Sequence, residues 1–240
     1  MNTWLQGFLD NDSFFGKLMT KIGIIIAANI MFVLFSIPFF TIGAGLTALY
    51  HVMFKTLRNG GICNPFKEFW AGFKGNFKQA TVEWLIFVAL IGFLTIDVQI
   101  CDQAGGSFAN LKILIYIIGA AVIFLYLYML PVTAAFYGSI AQHIKDALYF
   151  IVKKPFRFVV IAFFDVFPLV LTYSDPRDLP LYAFIWVSCG FGLIVMLGAT
   201  LLLPVFRPFL DEIDESGGSS ENPYGDEFAS IEDLHELDGF

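Results

Sequence analysis

Long apolar runs separated by short polar segments recur along the chain from Ile22 to Leu203. Five of them, Ile22–Phe40, Thr81–Asp97, Ile113–Tyr137, Phe158–Thr172 and Pro180–Val205, come close to the roughly 20 mostly apolar residues that a membrane-crossing helix needs. The Phe158 segment is short, so it extends toward Pro155 or sits in thinner bilayer. A sixth segment, Ile42–Leu57, is ambiguous. It follows "SIPFFTIGAG", in which Pro38 and then Gly43, Ala44 and Gly45 interrupt the apolar pattern. This pattern predicts an all-α protein: a polytopic helical membrane bundle of six (alternatively five) transmembrane helices with cytoplasmic amphipathic helices. A barrel would instead show alternating segments of about ten residues.

The basic residues weigh on the ambiguous segment. With six spans, twelve Lys and Arg fall on one side and two, Lys112 and Arg177, on the other. With five spans, Lys17 and Lys21 change sides and the division is ten against four. Both satisfy the positive-inside rule, the six-span arrangement better. Five spans have a different support. "SIPFFTIGAGLTALYHVMF" is echoed by "MLPVTAAFYGSIAQHIKDALYF" (Met129–Phe150), whose second half reads as a cytoplasmic amphipathic helix. Both arrangements place Lys55–Lys78, Gln142–Arg157 and the C-terminal tail in the cytoplasm. Both leave Asp102–Asn110 and Tyr173–Leu179 outside. The six-span arrangement also puts the N-terminus inside.

Composition agrees. The 240 residues are 58% hydrophobic, 18% aromatic and 15% charged, with a mean hydropathy of +0.73. A soluble domain would carry about 25% charged residues. The net charge of −7 is a property of the tail. Of the 21 acids, eleven lie in residues 211–240, which have no Lys or Arg, so the other ten face all fourteen bases. The chain therefore divides into a net-basic transmembrane domain, 1–210, and an acidic tail, 211–240, of disordered composition. Within the tail, "SIEDLHELDGF" pairs Ser230 with Asp233 as in a capping box, ahead of a thin apolar face. A short helix that folds on a partner and a solvated tail both fit.

Candidate chemistry is sparse. Cys63, Cys101 and Cys189 are far apart and predict neither a disulfide framework nor a zinc site. There is no P-loop, nucleophile elbow or H-E-x-x-H motif. No enzyme activity and no cofactor is expected. Asp10 and Asp12 precede the first apolar run, which reads as a retained anchor and not a signal peptide.

Three features stand out. The first is "NPFKEFWAGFKGNFKQA", where Phe66, Phe69, Trp70, Phe73 and Phe77 recur at helical spacing and Lys67, Lys74 and Lys78 fall largely on other faces. This predicts an interfacial amphipathic helix whose lysines reach anionic lipid. It serves either as an anchor or as a dock for a partner's cytoplasmic loops. The second is Asp165, near the middle of its span in "IAFFDVFPLV". Ionisable groups in a bilayer are costly, so Asp165 marks either a polar pathway or a contact between helices. Glu83 and Asp97 lie near the ends of their span, where water is expected to reach them. The third is Gly43, Gly45 and Ala48, small residues that let another helix approach. They form a packing face, within this bundle or for a partner. Pro38, Pro131, Pro168 and Pro204 are expected at span ends or kinks.

The patterns "PFFTIGAGLTALY" (Pro38–Tyr50) and "FKEFWAGFKGNFKQA" (Phe66–Ala80), preceded by "FLDNDS" (Phe8–Ser13), resemble the YesL family of small bacterial membrane proteins. The resemblance runs from Phe8 to Leu210 and is strongest in the first 80 residues. It implies a bacterial cytoplasmic membrane and an association with carbohydrate ABC importers, and it brings no catalytic residues. The expected function is thus a non-catalytic membrane accessory to carbohydrate uptake. Membrane lipid and ABC permease subunits are its expected partners, and nucleic acid is not. A small stand-alone transporter or channel with Asp165 in its path is the alternative.

Overall fold

The computed structural model describes residues 14–104 and 111–215. Every element within them is helical: α1 (Phe14–Phe35), α2 (Ile42–Arg58), α3 (Pro65–Ala104), α4 (Leu111–Ala135), α5 (Ile140–Lys153), α6 (Pro155–Ser174), α7 (Leu179–Ile185) and α8 (Phe191–Glu215). A π-turn, Trp186–Gly190, joins α7 to α8, and short 3-10 turns precede α2 and α7. Five stretches are long and apolar enough to cross a membrane: Phe15–Phe35, Pro65–Ala104, Leu111–Ala135, Pro155–Ser174 and Pro176–Leu210. The chain is a helical bundle of the membrane type.

The ambiguous segment is not among those five. At 17 residues α2 is short, and twelve of its residues are buried. It is enclosed by α1, α3, α4 and α8. The sequence explains this placement. Gly43, Ala44, Gly45, Thr47 and Ala48 keep its first turns thin, so helices can close on it from several sides. α2 is thus a short central helix among five membrane-length ones.

The segment 65–80 is also placed differently from expectation. It is not a separate interfacial helix but the first half of α3, which runs without interruption into the apolar half, about 60 Å in all. Nothing between Ala80 and Thr81 stops a helix, whereas Pro65 suits a first turn. The α1–α2 hairpin lies along this first half. Its tip is pinned where Trp84 Nε1 donates to the Phe39 carbonyl at 2.9 Å. Its open end brings the Lys21 side chain against Gly61, whose φ of +101° suits only glycine.

The second amphipathic helix, α5, begins with a capping box, Ser139 with Gln142. It buries Phe150 against Phe136, Phe206 and Phe209. Pro131, Pro168 and Pro204 lie inside continuous helices and not at their ends. On α1, Leu18, Ile22, Ile26, Ile30 and Leu34 form an exposed apolar row at four-residue spacing, as lipid contact requires. The proposed tail helix, Ser230–Phe240, lies outside the described residues.

Candidate functional site

A cleft of about 680 Å³ opens between α2 and the first half of α3. Its walls carry His51 and Lys55 from α2, and Lys67, Glu68, Lys74 and Lys78 from α3. Residues 67, 71, 74 and 78 recur at helical spacing, so α3 presents them as one stripe, with Ala71 and Gly75 adding little bulk. His51 is 3% exposed and its Nε2 lies 3.6 Å from Glu68 Oε2. The His51 ring packs on Gly72, where an added Cβ would meet it at 2.9 Å. A glycine is needed for that approach.

The aromatic stripe of α3 divides. Phe69 and Phe73 are buried, with ring centroids 5.7 and 5.0 Å from that of Phe35 on α1. Phe77 is half-buried, and Phe66 and Trp70 are exposed. The aromatics at its centre therefore hold α3 to the hairpin, which leaves the lysine stripe facing the cleft.

Gly43, Gly45 and Ala48 meet this chain's own helices. A Cβ on Gly43 would lie 2.5 Å from the Trp84 Cβ and 2.6 Å from the Ala80 carbonyl. On Gly45 it would lie 3.0 Å from the Phe32 ring. Ala48 is fully buried.

Asp165 is 8% exposed and lines a cavity of about 120 Å³ with Tyr50, Leu130, Trp186 and Val195. Its Oδ2 has no hydrogen-bond partner among the described residues.

Glu83 departs from expectation: it is 2% exposed, not wetted. Its Oε1 lies 3.0 Å from His143 Nδ1, and its Oε2 accepts from Thr133 Oγ1 at 3.0 Å. Gln79 Nε2 approaches the same ring nitrogen at 3.0 Å and donates to the Gly138 carbonyl at 2.7 Å. Residues 79 and 83 are one helical turn apart, but His143 is 60 positions from Glu83, so only the fold brings them together. No cluster of three or more metal-ligating side chains occurs among the described residues.

The cleft, all of α2, the second half of α1 and the first half of α3 fall inside one recognised segment. Residues 25–98 match the family described as "Protein of unknown function, DUF624". This is the family to which the YesL resemblance points. The match takes in the two longer motifs of that resemblance, Pro38–Tyr50 and Phe66–Ala80, and leaves Phe8–Ser13 and α4 to α8 outside it. No curated protein and no solved structure matches the chain.

Proposed function

We propose that the chain is a non-catalytic accessory protein of a bacterial cytoplasmic membrane that assists or modulates a carbohydrate ABC importer. The carbohydrate part of this reading rests on the YesL resemblance. The accessory part is supported by surface left open within the bundle. In α3 and in α6 only 6% of the most apolar window is buried inside the chain. Phe93, Ile96 and Ile100 on α3, and Val159, Phe163 and Phe167 on α6, face outward. Lipid covers such faces, and so can the helices of a permease subunit, which close packing and not hydrophobicity would select.

Orientation belongs to the same reading. The α1–α2 hairpin brings Lys21 beside the loop that follows Lys55 and Arg58. Collecting these bases at one face supports a cytoplasmic N-terminus. The test is co-purification. The full chain, tagged at its N-terminus, is extracted gently from its native membrane and its companions are identified by mass spectrometry. Permease subunits in stoichiometric amounts are expected. A solitary protein, with glycan uptake unchanged on gene deletion, would overturn the reading.

A second reading is favoured by the Asp165 cavity, a carboxyl with an unpartnered oxygen between α2, α4, α6 and α8. If it lies on a polar path, purified protein in liposomes moves solute and Asp165→Asn alters the flux. No flux across a panel of sugars and ions would remove this reading.

A further inference from the structure

The cleft between α2 and α3 is unusual in its charge. Among the described residues, four lysines, Lys55, Lys67, Lys74 and Lys78, line it, against one carboxylate, Glu68. Lipid covers the exposed apolar faces elsewhere, whereas a concave wall of like charges attracts an anion into the space that it lines. Three of the four, Lys67, Lys74 and Lys78, come from one stripe about 16 Å long on a single rigid helix. Their backbone positions are fixed by the burial of Phe69 and Phe73 on the opposite side. The cavity falls in the size range of small-ligand sites, and Ala71 and Gly75 keep its floor open.

We propose that this cleft is a binding site for a phosphate-bearing anion. The chemistry follows from the charge distribution. A lone carboxylate would satisfy one ammonium and leave the others opposed. A phosphate brings nearly two negative charges and several strong acceptor oxygens, and lysine ammonium groups bind it as mobile point charges. Glu68, held near His51, occupies one part of the wall and repels an anion there. The phosphate therefore sits toward Lys74 and Lys78, and Lys55 and Lys67 supply the surrounding field. Two sources carry this chemistry: a soluble phosphorylated molecule, and the headgroup of an anionic phospholipid.

The experiment uses the full chain in nanodiscs and distinguishes the sources. In phosphatidylcholine discs, inorganic pyrophosphate is titrated calorimetrically into the wild type and into Lys67→Gln/Lys74→Gln/Lys78→Gln. These lysines are exposed, so the variant is expected to keep its thermal midpoint. Lys145→Gln, an exposed base on α5, is the charge control. Saturable binding that weakens about tenfold or more in the triple variant and persists in Lys145→Gln supports the site with a soluble ligand. In a second arm, phosphatidylglycerol retained through purification is measured. Retention by the wild type and loss in the triple variant, without pyrophosphate binding, supports the headgroup source. A third variant, Ala71→Phe, keeps every lysine and fills the floor, so it abolishes binding to a cleft but not to a diffuse basic surface. Absence of both ligands, equal binding by wild type and triple variant, a loss shared by Lys145→Gln, or unchanged binding in Ala71→Phe would each overturn the proposal.

Discussion

Glu83 and His143 meet 3.0 Å apart in the interior, at 2% and 1% exposure, where α3, α4 and α5 join. Thr133 supports the contact from α4 and Gln79 from one turn earlier on α3. Such groups are worth little net when all are present, but removing one strands the rest without water. Glu83→Gln and His143→Ala are each expected to destabilise the protein by about 1–3 kcal/mol. The double variant should lose less than the two single losses combined, with a coupling of about 0.5–3 kcal/mol. Thermal unfolding of all four proteins in one detergent measures this. Strict additivity would mean that the two side chains do not act as a unit.

The helical membrane architecture was legible in the sequence because lipid forces spanning segments into long apolar runs. Interior organisation was not. Glu83 looked wetted because a span's ends are defined by hydropathy, and hydropathy does not register that Thr133 and His143 wait there. The amphipathic pattern of 65–80 pointed to an interfacial helix, and the structure makes it the start of a longer one. Aromatics facing lipid and aromatics facing Phe35 leave the same trace, however, and only the continuity of α3 separates them. For α2, a run of small residues signalled close packing without saying whose helices would pack. Asn29 was missed altogether. One amide in an apolar run carries no periodicity, although its cost in a bilayer could have marked it.

Gly43 and Gly23 provide a paired test of packing. A Cβ at Gly43 would strike the Trp84 side chain and the Ala80 backbone, which cannot both yield. A Cβ at Gly23 would meet nothing within 4 Å. Gly43→Ala is expected to cost about 1–3 kcal/mol through overpacking. Gly23→Ala should be neutral or stabilise by up to about 1 kcal/mol through helix propensity. Thermal midpoints of the two variants should move in opposite directions or differ widely. Equal shifts would contradict the close α2–α3 contact.

Cys63, in the loop between α2 and α3, has a thiol whose pKa burial pushes above the ordinary range, with the Thr56 hydroxyl 3.1 Å away. Only the thiolate is alkylated. With Cys101 and Cys189 changed to Ser, native Cys63 should react slowly near neutral pH. Its rate should rise only at pH values above those that activate a thiol in the unfolded chain. A raised acid pKa also means that folding favours the neutral thiol, so this stabilisation is present at lower pH and is lost as pH climbs through the folded value. A native pH–rate profile that coincides with the unfolded one would contradict the burial of this side chain.

Asn29 and the π-turn are built for one another. The side chain is fully buried on α1. Its Nδ2 donates to the Trp186 carbonyl at 3.0 Å and the Val187 carbonyl at 2.8 Å, and its Oδ1 accepts from the Gly192 amide at 2.9 Å. A π-turn loosens the regular ladder and leaves carbonyls short of partners, which a bilayer cannot supply. Asn29 provides the missing donors from another helix. Gly192 permits the approach, since a Cβ there would lie 2.9 Å from Ile25. Asn29→Leu keeps the volume close but removes every one of these bonds. It is expected to cost about 1–3 kcal/mol and to loosen Trp186–Gly190. Amide hydrogen exchange resolves that change, with faster exchange confined to the junction of α7 and α8. Unaltered exchange there, whatever the change in thermal midpoint, would mean that the π-turn is set by α7 and α8 alone.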